Sequence, residues 1–260
     1  FISCIADLYV EYIPDNNIPT IIEMKNYIIN ALTIDIFMES HNGNLVQIFS
    51  KESNEAIDLE AHRDSQVYKG LDMTKQQHVD FFTNVVSAYE NFLSYLRDDD
   101  IVIDYRYLWD IVCSSEVLFP SGINLVILEI TNNDSTQDIQ LICPTNHYKS
   151  IAFHPRKAIF VLLKQGNYYE PIYLYEDVET KIKVQKTFNI FSPKLPPNLK
   201  NVLRVIRNHI DNSCKPLPSM PRVYNFVENK RIDEIISILG KMKTLKVENT
   251  TKTKFRKIIK

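Results

Sequence analysis

Two carboxylates open the chemical reading. Asp104 lies ahead of a β-branched run, and Glu129 stands inside that run as Glu129-Ile130-Thr131. Metal-dependent nucleases of the PD-(D/E)xK type use this order of parts. An acid precedes one strand, a Glu-x-Lys sits within the next, the acids hold the metal and the lysine helps to activate water. Here Thr131 occupies the lysine position, so an intact nuclease core is not expected. The sequence leaves a degenerate version with Asp104 and Glu129 as its catalytic candidates. The simpler reading puts Glu129 on the polar face of an exposed hairpin.

Other catalytic signatures are missing. The chain has 5 Gly in total, and no GxGxxG or GKS/T occurs, which argues against a nucleotide-binding enzyme of the Rossmann or P-loop kind. No GxSxG surrounds a serine. Cys143 and His147 are spaced as a conceivable nucleophile and base, but a buried strand cysteine beside a loop histidine explains them better. Cys4, Cys113, Cys143 and Cys214 are too far apart in sequence to form a paired metal-ligand motif. All four are expected to be reduced and structural, which favours the cytoplasm or nucleus of a cell. No metal and no cofactor is expected.

For nucleic acid the signals are local. Tyr168 and Tyr169, with Tyr173 close behind, have the aromatic density that stacks on single-stranded bases. Alternating strand faces explain the same tyrosines without a ligand. The end of the chain is basic: Lys252, Lys254 and Arg256 belong to a run from Lys241 opposed by the single acid Glu248. The whole chain carries a net charge of -2, whereas affinity for phosphates needs a basic surface. Nucleic acid is therefore a less favoured partner than protein.

The elements that would position these residues can be read from periodicity. Thr20 and Glu23 form a capping box ahead of a helical stripe through Leu32. Thr33–Met38 is a short apolar element, and Asn42-Gly43 calls for a turn with positive φ. Leu45–Phe49 is a short strand or helix, and Lys51–Lys69 reads as a long polar loop ended by Gly70. Thr74 with Gln77 predicts the cap of a helix running to Arg97, and Tyr105–Cys113 a shorter one. Trp109, the only tryptophan, is its expected core anchor. From 123 onward the pattern is extended: a hairpin of Ile123–Ile130 with Gln137–Cys143, a second of Ala158–Leu163 with Tyr168–Tyr175, and a further strand over Lys181–Phe188. After Pro193, Pro196 and Pro197 a helix covers Asn198–Ile210, and Ile232–Leu239 makes a last short one.

Hydrophobic residues at 45% and charged residues at 24% suffice for a packed core. No stretch nears the roughly 20 apolar residues that span a bilayer. The chain begins Phe1-Ile2-Ser3 without an initiator Met, and it ends on Lys260; both ends read as cuts from a larger protein. The excess of Ile, Asn, Lys, Tyr and Phe matches A/T-rich codons.

Several short motifs carry a resemblance: Asn42-Gly43-Asn44-Leu45, Tyr107-Leu108-Trp109-Asp110, Leu118-Phe119-Pro120-Ser121-Gly122-Ile123-Asn124-Leu125, Ile142-Cys143-Pro144-Thr145-Asn146 and Tyr168-Tyr169-Glu170-Pro171-Ile172. Together they resemble a conserved segment of large proteins of giant, nucleocytoplasmic large DNA viruses, over roughly 40–175. The resemblance implies a viral protein and supplies no catalytic residue.

The expectation is an α+β fold. A mainly helical part (1–115) and a helical C-terminal part with the basic tail (193–260) would pack on one face of a central antiparallel sheet of about four or five strands (116–192), all in one composite domain. The expected role is a non-enzymatic structural or protein-interaction module of a large viral protein, in the host cytoplasm or nucleus or in the virion. Its partners would be other domains or proteins of the parent assembly.

Overall fold

The structure is a computed structural model that describes residues 1–13, 17–50, 57–131, 139–144, 153–178 and 181–214, with backbone alone at 42, 176–178 and 181. The expected 232–239 helix, His147 and the basic tail lie outside the described residues, as does 51–56 of the polar segment.

Among the described residues seven α-helices precede the sheet: α1 (Ile2–Tyr9), α2 (Ile21–Ala31), α3 (Ile34–Glu39), α4 (Leu45–Phe49), α5 (Gln66–Lys69), α6 (Gln76–Arg97) and α7 (Tyr105–Cys113). The capping box of α2 forms as expected, with Glu23 N–H donating to the Thr20 hydroxyl and Thr20 N–H to the Glu23 carboxylate. That of α6 does not. The Thr74 hydroxyl donates to Asp72 instead, at 2.6 Å, and the helix starts at Gln76 behind Lys75 without a side-chain cap. The described part of the 51–69 segment is also more ordered than its polarity implied. α5 lies there, capped by Ser65, and the Asp35 carboxylate accepts the N–H groups of Gln66 and Val67.

α6 is the pillar of the helical layer. Its buried stripe of Phe82, Val85, Val86, Tyr89, Phe92, Leu93 and Leu96 keeps the spacing of one helix face. Phe92 meets Phe49 of α4 and Phe37 of α3 at ring separations of 4.8 and 5.5 Å. Trp109 of α7 is fully buried, as expected. Gly43 takes its expected positive φ; His41, two residues earlier, also has positive φ, which the sequence did not signal. The His41 N–H donates to the Asp110 carboxylate, which ties this turn to α7.

The sheet has four strands in the order β2-β1-β3-β4: β1 (Ile123–Ile130), β2 (Ile139–Ile142), β3 (Ala158–Gln165) and β4 (Tyr168–Pro171). Both expected hairpins are present, but they join through a parallel pair, β1 with β3, so the sheet is mixed rather than antiparallel. Side chains alternate with the same period in either direction, so the pattern is silent on strand polarity. The connection must pass from β2 on one side of β1 to β3 on the other. Asn124, buried at the start of β1, holds that passage. Its amide donates to the carbonyls of His154 and Lys157 and its carbonyl accepts the His154 N–H, at 2.8–3.0 Å.

The helices cover both faces of the sheet, not one. Ile123, Leu125 and Ile127 of β1, with Phe160 and Leu162 of β3, join the core built by α1–α7. The alternate residues Val126, Ile159 and Val161 join a second core with Leu203 and Ile210 of α8 (Pro197–Ser213). The outcome is three layers: helices in front, sheet, and α8 behind.

Opposite β3 the last strand is interrupted. Ile172 N–H donates to Val161, and Phe188 exchanges both backbone bonds with Ile159. Between them β5 (Leu174–Val178) and β6 (Lys181–Gln185) form a separate two-stranded ribbon. The single strand expected over Tyr168–Tyr175 is therefore broken at 172–173.

The cysteine expectation also needs correction. Cys143, just after β2, and Cys214, at the end of α8, form a disulfide across a sequence separation of 71 residues. In the chain-entropy view a loop of that size restrains the unfolded chain by about 4 kcal/mol. Cys4 and Cys113 are free and buried. The argument for a reducing compartment rested on four thiols and loses its ground.

Candidate functional site

Asp104 and Glu129 come to the same rim of the front face. Asp104 is the N-cap of α7. Glu129 lies on β1 in line with Ile123, Leu125 and Ile127, beyond the point where the apolar stripe ends. The register sets Glu129 of β1 opposite Lys164 of β3, and Lys164 opposite Tyr169 of β4. Directly opposed residues share a face, so these three form one polar row across three strands.

The row is closed by its own members. The Lys164 ammonium pairs with the Glu129 carboxylate; their side chains are 12% and 33% exposed. The Tyr169 hydroxyl donates to Asp104 Oδ1 at 2.7 Å, and the same oxygen accepts the Tyr105 N–H. Arg106 Nε lies 3.6 Å from Asp104 Oδ2. Tyr169 is clasped in turn by the ring of Phe1 at 5.6 Å and that of Tyr105 at 6.4 Å. The row thus ties β1, β3, β4 and α7 together, and each carboxylate has a cation or hydroxyl against it. Among the described residues no grouping of three or more His, Cys, Asp and Glu could hold a metal ion.

Burial pushes the Tyr169 phenol well above the ordinary tyrosine value, and the hydrogen bond and charge of Asp104 push it the same way. A raised folded-state value means that the neutral phenol is stabilised by the fold. That contribution is complete below the unfolded value of about 10 and fades as the pH rises beyond it. Tyr169 is expected to be silent in a spectrophotometric alkaline titration of the folded chain. The Tyr169→Phe variant should give the same curve at 295 nm until unfolding begins. A curve missing one ionisation near pH 10 would place Tyr169 in water and dissolve the row.

The remaining sequence candidates scatter. Tyr168 is 83% exposed and points to the face opposite Tyr169, one step along the strand. Tyr173 donates its hydroxyl to Asp7 of α1 and packs on the front core. The tyrosines therefore do not form one stacking platform. Lys252, Lys254 and Arg256 lie outside the described residues. Cys143 is not available as a nucleophile, because its sulfur is bonded to Cys214. Burial holds the Cys113 thiol at about 12 and raises that of Cys4 as well, so neither is an activated thiolate.

Sequence reasoning missed Lys164. It lies 35 residues beyond Glu129, and only the parallel register joins them. No known family model, no curated protein and no solved structure matches this chain.

Proposed function

We propose that this chain is a non-enzymatic structural or protein-interaction module of a large viral protein. Its partners are other domains or proteins of the parent assembly. The observation that carries this reading is the engagement of both candidate carboxylates. Asp104 caps α7 and accepts from Tyr169, and Glu129 is neutralised by Lys164. Residues of the viral resemblance support it by what they do here. Trp109 fills the core, Asp110 holds the 41–44 turn, Asn124 clamps the crossover and Cys143 is cross-linked. No described helix is long and apolar enough to cross a membrane. A virion-associated location suits the disulfide better than a persistently reducing cytosol.

One observation favours a second reading. Lys164 stands beside Glu129, on the neighbouring strand, and so supplies the lysine that Thr131 does not. A nuclease-like core would then consist of Asp104, Glu129 and Lys164. The test is incubation of the purified chain with labelled single- and double-stranded DNA and RNA, with and without Mg²⁺ or Mn²⁺, at two salt concentrations. The expected result is no cleavage. Metal-dependent cleavage that disappears in Glu129→Ala and Lys164→Met would overturn the structural reading in favour of the nuclease. Salt-sensitive binding without cleavage would make nucleic acid a direct partner.

A further inference from the structure

α8 is a 17-residue helix of which only Leu203 and Ile210 are fully buried, with Leu199 and Ile206 partly so. Its ion pair, Arg207 with Asp211, and the hydrogen bond that the Asn212 side-chain amide donates to the Asn208 carbonyl both lie within the helix. These contacts stiffen α8 without fastening it to the sheet. The cystine at its C-cap does fasten it. Cys214 is 5% exposed and belongs to the back core, and Cys143 follows the short edge strand β2.

We propose that Cys143–Cys214 is a thiol-exchangeable latch: closed, it holds the last turn of α8 over the back face of the sheet; opened, it frees α8 and uncovers that face. A helix with so few buried contacts is the kind of unit that opens locally ahead of the rest of the fold. The sulfur offered to a reductant is that of Cys143, which is half-buried while Cys214 is enclosed.

The exchange balances with a small dithiol as the reductant. Its thiolate attacks Cys143 Sγ, the bond between the two sulfurs breaks, and Cys214 leaves as a thiolate that takes up a proton. The second thiol of the reagent then displaces Cys143, which is also protonated, and the reagent departs as a cyclic disulfide. Closing runs the other way with a small-molecule disulfide as oxidant. Two protein thiols lose two protons and two electrons, and the oxidant leaves as two thiols.

The test uses the full 260-residue chain equilibrated with a small-molecule disulfide. Alkylation under denaturing conditions counts its thiols by mass. Hydrogen exchange then follows α8, α6 and β1 before and after dithiothreitol. Two alkylated cysteines, Cys4 and Cys113, are expected before reduction and four after it. Reduction should speed exchange in α8 by about tenfold or more, at times when α6 and β1 are still protected in both forms. Cys214→Ser should show the faster exchange without reductant. Four reactive thiols at the outset would overturn the proposal. So would an α8 indifferent to reduction, or a reduced chain in which α6 and β1 exchange as fast as α8.

Discussion

Gly122→Ala is expected to lower the melting temperature by about 10 °C, from a loss of about 3–4 kcal/mol in a domain of this size. Gly122 sits at φ +65°, where a side chain costs about 1–2 kcal/mol. A Cβ there would also lie 2.5 Å from the Cys113 carbonyl oxygen and 2.6 Å from Lys157 Nζ. The first of these atoms is backbone at the end of α7 and cannot give way without dragging the helix. The second can move, but Lys157 would then lose its 2.7 Å bond to the same carbonyl. Gly166→Ala is the built-in control. It has φ +57° with nothing within 4 Å, so it carries the strain without the collision. Thermal melts of both variants isolate the difference. Equal shifts would mean that α7 does not end against the start of β1 as described.

Asn124→Asp is the second large effect. The crossover needs two donors and one acceptor from this side chain. A carboxylate keeps the acceptor for the His154 N–H and turns its other oxygen toward the carbonyls of His154 and Lys157. The loss should be about 3 kcal/mol at neutral pH, since a buried charge is left facing acceptors. The introduced carboxyl then has a folded-state pKa above its unfolded value of about 3.9. By linkage the deficit against the parent is largest above the raised value and shrinks as the pH falls through it. Urea unfolding of parent and variant at pH 7 and pH 5 measures this. A gap that stays constant or widens at the lower pH would show that the carbonyls do not converge on position 124. Asn124→Ala should lose stability too, without the pH dependence.

Local signals identified local structure. The Thr20–Glu23 box, the apolar stripe of α6 and the pairing of β3 with β4 each rest on residues close in sequence, and each was legible. Where a competing partner sat nearby, the local rule failed, as when Asp72 took the Thr74 hydroxyl from α6. The two-sided burial of β1 is also written in the chain. In Ile123-Asn124-Leu125-Val126-Ile127-Leu128 both alternating faces are largely apolar, which is how a strand covered on both sides reads. α8 could have been placed behind the sheet on that ground.

Composition and periodicity by themselves determined that this protein is α+β, that Trp109 and the α6 stripe are core, and which acids and tyrosines deserve chemical scrutiny. Only the tertiary structure decided how those residues meet. Strand polarity made β1 and β3 neighbours and brought Lys164 to Glu129. The packing of α7 on the sheet brought Asp104 to Tyr169, and α8 on the back face brought Cys214 to Cys143. The physical reason is common to all three. Side-chain periodicity reports which face of an element is buried, whereas partners 35, 65 and 71 residues apart are chosen by register and layer order, which that periodicity does not encode.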